Sequence, residues 1–204
     1  ATLAQAIVKA KDGNMPNDNI DRAIKKGAGG AGDGETYLHL TYEGYGPAGV
    51  AVYVTALTDN KNRTAADVRH AFDRSGGMLG TDGSVSWMFE RKGVIYVDAA
   101  GRDEDEIMTA AIEAGAEDVV PEGDAYEIRT DAADFMAVRT ALEAAGITYT
   151  SAELTMIPKN TVALDESDAR KTLRLLDALE DNDDIQEVYA NFDIPDSVME
   201  ALAG

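Results

Sequence analysis

Sorted by type and spacing, few residues of this 204-residue chain can do chemistry. Cysteine is absent, which removes disulfides, thiolate zinc sites, haem attachment and a thiol nucleophile, and fits a reducing compartment. The only histidines, His39 and His70, form no H-E-x-x-H pair, and no G-x-S-x-G elbow offers an activated serine. Residues 27–32 spell G-x-G-x-x-G, but a dinucleotide site needs a strand before the glycines and a helix after them; here a helix precedes. The loop 76–83 (GGMLGTDG) lacks the Gly-Lys-Ser/Thr ending of a phosphate loop, although its backbone N–H groups can still face an anion. Of the acidic runs, 103–106 opens a helix, where carboxylates meet the positive end of the dipole. The run 180–184 (EDNDD) breaks the spaced calcium-ligand ladder at Ile185 and has no closing Glu. The expectation is a non-enzymatic protein without metal or cofactor.

Phosphate contact by basic residues is the chemistry that remains. The chain carries 18 Lys and Arg against 38 Asp and Glu, a formal charge of -20. Residues 1–95 hold 11 basic and 11 acidic groups, so residues 96–204, with 7 and 27, carry the whole excess. At physiological salt the Debye length is about 8 Å, so each part presents its own local field. Any anion-binding surface is therefore expected in the first half. Arg63, His70 and Arg74 recur at helical spacing along 62–74, with Lys61 just ahead and Arg69 to one side. Arg22, Lys25 and Lys26 form a second patch on a shorter helix. These residues either meet phosphates or sit solvated beside Asp67 and Asp73, each four positions after an arginine, in the weaker basic-first order. Neither helix is rich in base-reading Arg, Asn and Gln, so contact with the backbone rather than with base edges is expected.

The elements that must position these residues follow from periodicity. Residues 1–11 read as a helix with no cap ahead of it, which implies that the chain begins inside a longer protein. A second helix follows Pro16 and stops at Gly27, and the Gly-rich segment 27–34 reads as a linker. Strands are expected at 36–42 and 50–57 around the turn segment 43–49, then a helix at 62–74 and a strand at 85–90. From 93 to 158 the order strand, helix, strand, strand, helix, strand is that of a ferredoxin-like split βαβ sandwich. The remaining strand at 161–164, helix at 167–179, strand at 185–192 and helix at 196–202 have too few partners for a core of their own and are expected to return to the first sheet. The fold class is α+β. A helical domain and linker occupy 1–34, a discontinuous α+β domain 35–92 plus 161–204, and an inserted ferredoxin-like domain 93–160. The longest apolar stretch, 48–57, is half of the roughly 20 residues a membrane helix needs, so a soluble, cytoplasmic protein is expected.

Five segments, taken together, resemble the YebC/PmpR family: NMPNDNIDRAIKKGAG (14–29), YEGYGPAGVAVYV (42–54), TDNKNRTAADVRHAF (58–72), GGMLGTDGSVSWMFERKGVI (76–95) and DALEDNDDIQEVYANFDIP (177–195). The resemblance covers essentially the whole chain. It implies a three-domain α+β protein that controls gene expression without catalysis, as a DNA-binding transcriptional regulator or a ribosome-associated factor that helps translation of proline-rich stretches. The positions matching the family's motifs are Lys25 and Lys26, then Asn60, Lys61, Asn62, Arg63 and Thr64, and the loop 76–83. Family chains usually begin with a basic segment containing Gly-His-Ser-Lys-Trp, which this sequence does not have. The implied partners are DNA or ribosomal RNA, with a protein-interaction scaffold around 43–49 as the remaining class.

Overall fold

Residues 3–27, 37–100 and 103–203 are described by a computed structural model of the chain. The sequence elements placed at residues 1–2 and 28–36, including most of the Gly-rich linker, lie outside the described residues. Along the chain come α1 (Leu3–Asp12), α2 (Asn17–Gly27), β1 (Leu38–Tyr45), β2 (Ala51–Thr58), α3 (Lys61–Arg74) and β3 (Met78–Leu79). They are followed by β4 (Phe89–Asp98), α4 (Glu104–Glu113), β5 (Ala116–Glu122), β6 (Ala125–Asp131), α5 (Phe135–Ala144) and β7 (Ser151–Pro158). The chain ends with β8 (Val162–Ala163), α6 (Glu166–Glu180), β9 (Ile185–Ala190), β10 (Phe192–Asp193) and α7 (Asp196–Ala203). The fold is α+β, and it separates into two compact units, one of residues 1–34 and 91–155, the other of 35–90 and 156–204.

The second unit holds a four-stranded sheet in the order β3-β1-β2-β9. β2 is its central strand and is buried on both faces, which explains its near-continuous apolar run. Val50, beside the strand, and Val52 and Val54 pack with Val68 and Phe72 of α3 and with Leu175 and Leu179 of α6. Ala51 and Tyr53 point to the other face, where Val85, Phe89 and Tyr189 gather. Antiparallel pairing runs from Leu38 opposite Thr58 to Tyr45 opposite Ala51, and β2 pairs β9 from Val52 opposite Ala190. Gly44 is required where α3 crosses β1, since a Cβ there would meet Phe72 and the Met78 carbonyl at 2.7 Å.

Two segments differ from the periodicity-based expectation. β1 runs through to Tyr45 and the turn narrows to a 3-10 turn at Pro47–Gly49, because the carboxylate of Glu43 has partners that hold it inside the unit. The strand expected at 85–90 is instead a 3-10 turn at Ser86–Met88, and β4 begins at Phe89 and continues to Asp98. Gly93 does not break β4. It is a contact point where a Cβ would lie 2.5 Å from the Phe135 ring and 2.4 Å from Thr130 Oγ1.

In the first unit the sheet order is β5-β6-β4-β7, the arrangement of the split βαβ sandwich. Ile95, Val97 and Ile128 of the sheet pack with Ile107 and Ala111 of α4 and Val138 and Leu142 of α5. Asp103 caps α4 by accepting from the Asp105 N–H at 3.0 Å. The end of α1 is tied to α5 by Asp12 and Arg139, 3.3 Å apart.

Candidate nucleic-acid interface

The junction between β2 and α3 holds the segment 60–64, and its geometry is set by hydrogen bonds before charge enters. Asn60 caps α3, its Oδ1 accepting from the Arg63 N–H at 3.1 Å, while its own N–H donates to Thr58 Oγ1 at 2.9 Å. Asp184 reaches this junction from the turn before β9, because its carbonyl accepts from the Leu57 N–H at 2.8 Å. Its carboxylate lies 2.7 Å from the Thr64 hydroxyl and 3.1 Å from that of Thr58. The Arg63 guanidinium donates to Asp184 at 2.8 Å and to Asp59 at 2.9 Å. The Thr64 hydroxyl, then Arg63, hold the Asp184 carboxyl below the usual range, and Asp184 followed by Asp59 raises the already high pKa of Arg63.

These contacts redistribute the residues singled out from the sequence. Thr64 is fully buried and its hydroxyl is engaged, so it offers nothing to a phosphate. Asn60 is a helix cap. Arg63 is exposed but shared by two carboxylates, so Asp59, Arg63 and Asp184 together carry a charge of about -1. It pairs with these two rather than with Asp67. Lys61, Asn62, Arg69 and Arg74 are exposed on α3, and among the described residues none of the three cations has a carboxylate within ion-pair distance. Arg22 and Lys25 are likewise exposed on α2; the side chain of Lys26 lies outside the described residues.

His70 and Arg74 do not lie on an open stripe with Arg63. With Asp67 they line a cleft of about 750 Å³ whose opposite wall is α6, contributing Lys171 and Arg174, with Asn182 from the turn after it. Asn182 reaches Asp67 at 3.5 Å, which fixes one end. α3 leaves β2 and α6 leads into β9, which is antiparallel to β2, so the two helices run antiparallel and Arg174 and Lys171 approach Arg74 at the far end. Arg174 donates Nε to the Arg170 carbonyl at 3.1 Å and has no carboxylate partner among the described residues. Lys171 shares Asp168 at 2.9 Å, and Arg170 is held by Glu166 at 2.9 Å.

Basic residues also gather outside residues 1–95. Three of the seven basic residues of the acidic half, Arg170, Lys171 and Arg174, sit together on α6. Their spacing on one helix is a signal in the sequence that the net charge of residues 96–204 conceals.

The anion facing loop 76–83 is the protein's own. Glu43, 4 % exposed, accepts from the backbone N–H of Gly83 at 2.8 Å and of Val85 and Ser86 at 2.7 Å. Burial pushes its pKa up, but these three donors and the Ser86 hydroxyl outweigh it and leave the carboxyl below its ordinary value. Within the loop the N–H groups of Gly76, Gly77, Gly80 and Gly83 are all engaged by groups of the protein itself. His39 is exposed on β1. Among the described residues no group of three His, Cys, Asp or Glu is placed to hold a metal ion, and no helix is long and apolar enough to cross a membrane.

A family profile described as TACO1/YebC second and third domain matches residues 37–192. The chain is similar to a "Probable transcriptional regulatory protein" of Rubrobacter xylanophilus, 60% identical over 99% of this chain and 81% of that protein. It is similar to a protein of the same description from Syntrophus aciditrophicus, 55% identical over 98% of this chain and 80% of that one. A solved structure, the conserved hypothetical protein Aq1575 of Aquifex aeolicus, superposes with a TM-score of 0.82 at 49% identity, over 95% of this chain and 79% of its own.

Proposed function

The chain belongs to the TACO1/YebC family, whose relatives bear the name of transcriptional regulators, and from that premise we propose that it is a non-enzymatic, cytoplasmic regulator that binds nucleic acid through backbone phosphates. The observation that carries the reading is the exposure of Lys61, Arg69 and Arg74 on α3, with no carboxylate at ion-pair distance among the described residues, in a molecule of charge -20. In so acidic a chain, cations left uncompensated along one helix supply a local field that favours a polyanion, and the short screening length keeps the acidic remainder from cancelling it. Arg22 and Lys25 on α2 add to the same reading. The cations exposed on α3 suit phosphate oxygens, and Asn62 is its one exposed amide, so positioning contact with the backbone is the simplest use of this face.

Duplex DNA is the first target, given the relatives' names, and ribosomal RNA recognised by shape is the second. The test is retention of duplex DNA against co-sedimentation with ribosomes at about physiological salt, where nonspecific phosphate binding is already weakened. Charge reversal at Arg69 and Arg74 is expected to abolish whichever binding is seen. Nucleic-acid binding that survives the reversal would remove α3 as the contact surface, and absence of binding in the wild-type chain would leave a protein-interaction scaffold as the function.

A further inference from the structure

We infer that the cleft between α3 and α6 is a phosphate clamp that seats the backbone of a polynucleotide strand; this rests on the nucleic-acid reading above and gives it a location that the α3 surface alone does not. Arg74 on one wall and Arg174 on the other are cations without carboxylate partners among the described residues, and Lys171 and His70 lie in the same cleft. Lys171 shares Asp168 in a half-buried i,i+3 pair at 2.9 Å, which leaves two of its three N–H donors for a phosphate. The one carboxylate of the lining, Asp67, lies at the opposite end beside the Asn182 amide.

The chemistry of the lining selects the occupant. Its only apolar side chains are those of Ala71 and Ala178, and no Phe, Tyr or Trp ring lines it; His70 is its single ring. What the walls offer is positive charge and N–H donors, suited to phosphate oxygens and indifferent to base identity. Arginine's fork engages two oxygens of one phosphate at once, and one such group lines each wall of this cleft, Arg74 on α3 and Arg174 on α6. Arg74, Lys171 and Arg174 put three cations on one cleft, more than a single phosphate needs. The clamp is also polar: its cationic end is at Arg74, and the acidic turn after α6 closes the other, so a strand enters from the Arg74 side.

Two variants of the full 204-residue chain test this without disturbing the core. Arg74→Ala with Arg174→Ala removes the facing forks. Ala178→Glu leaves every cation in place and puts a carboxylate into the cleft from an exposed helical position, where Glu is a good helix former. The probes are a short single-stranded RNA, a DNA duplex of the same sequence and inorganic phosphate. Binding to the first two is measured as a function of salt, and binding to phosphate by phosphorus NMR line broadening.

The double variant is expected to flatten the log–log salt slope by about 1.8 on duplex and about 1.4 on single strand, two phosphate contacts' worth. Ala178→Glu is expected to weaken both probes with an unchanged melting temperature. If both variants keep the wild-type slope while Arg22→Ala with Lys25→Ala flattens it, the clamp is overturned and nucleic-acid binding through α2 stands. Inorganic phosphate broadened in an Ala178-dependent way, with nucleic-acid slopes unchanged, would make the cleft a small-anion pocket and also overturn the clamp. A wild-type chain that binds neither nucleic acid at low salt overturns both the clamp and the function it rests on.

Discussion

Replacing Asp184 by asparagine removes one negative charge at the β2–α3 junction and leaves every donor around it in place. Thr64 and Thr58 keep an oxygen within reach, so the loss is that of charge assistance in bonds of 2.7 and 3.1 Å, together with the exposed pairing to Arg63. A hydrogen bond to a charged group is worth about 1.5–3 kcal/mol against about 1 for a neutral one, and an exposed ion pair at most about 1. The expected cost of Asp184→Asn is thus about 1–2 kcal/mol, read from chemical denaturation near neutral pH. That difference depends on pH in a fixed direction. The folded pKa of Asp184 is lowered, so its contribution is complete above the ordinary aspartate value and disappears as pH falls through the lower, folded one. Wild type and variant should therefore converge in stability as the solution is acidified below about 3.9. Nucleic-acid binding should move the opposite way. With Asp184 neutral, Arg63 answers only to Asp59, and a released arginine adds about 0.9 to the steepness of the salt slope on duplex. A variant that is less stable yet binds more tightly is an outcome that general unfolding does not produce. Weaker binding, or an unchanged slope, would refute the claim that Asp184 withholds Arg63 from phosphate.

Glu43→Gln should destabilise by about 2–4 kcal/mol, since an amide turns an NH2 toward N–H donors that three short bonds now satisfy; equilibrium denaturation reads this, and the gap to wild type should narrow below the ordinary glutamate range because the folded pKa is depressed. Phe72→Ala should cost about 3–5 kcal/mol by emptying the core between α3 and the sheet, measured by the same unfolding curves. Gly93→Ala should cost about 1–3 kcal/mol because its methyl would meet Phe135 and Thr130, and a neutral result would mean that β4 is free to move away.

The element order was legible because it rests on local signals: apolar spacing at Val68 and Phe72, the Asn60 and Asp103 caps, and the valine-rich run of β2. What failed depended on residues distant in sequence. Gly93 reads as a boundary until Phe135, 42 positions later, takes the place of its side chain. Residues 85–90 read as a strand, but the backbone there turns to place two N–H groups on Glu43. The candidate site was legible in the same measure. Exposure of Lys61, Arg69 and Arg74 follows from helical spacing, whereas the engagement of Arg63 depends on a carboxylate 121 positions away. The second wall of the cleft depends on α6 crossing back over the same sheet, which composition conceals.

Charge compensation, more than charge, decides which arginines of this protein are available. Local sequence suggested that Asp67 and Asp73 would neutralise α3, yet the basic-first spacing is the weak orientation, and Arg63 finds stronger partners at Asp59 and Asp184. The acidic turn at 180–184 acts on one end of α3 only. Eleven residues separate Arg63 from Arg74, about 16 Å of helix and twice the screening length at physiological salt, so a carboxylate at the first does not neutralise the second. The same acidic turn that cancels Arg63 therefore leaves Arg74 and Arg174 cationic, and it gives the cleft a negative end and a positive end. A protein of strongly negative total charge can meet a polyanion under these conditions, provided that contact is made at the positive end and the acidic surface faces away.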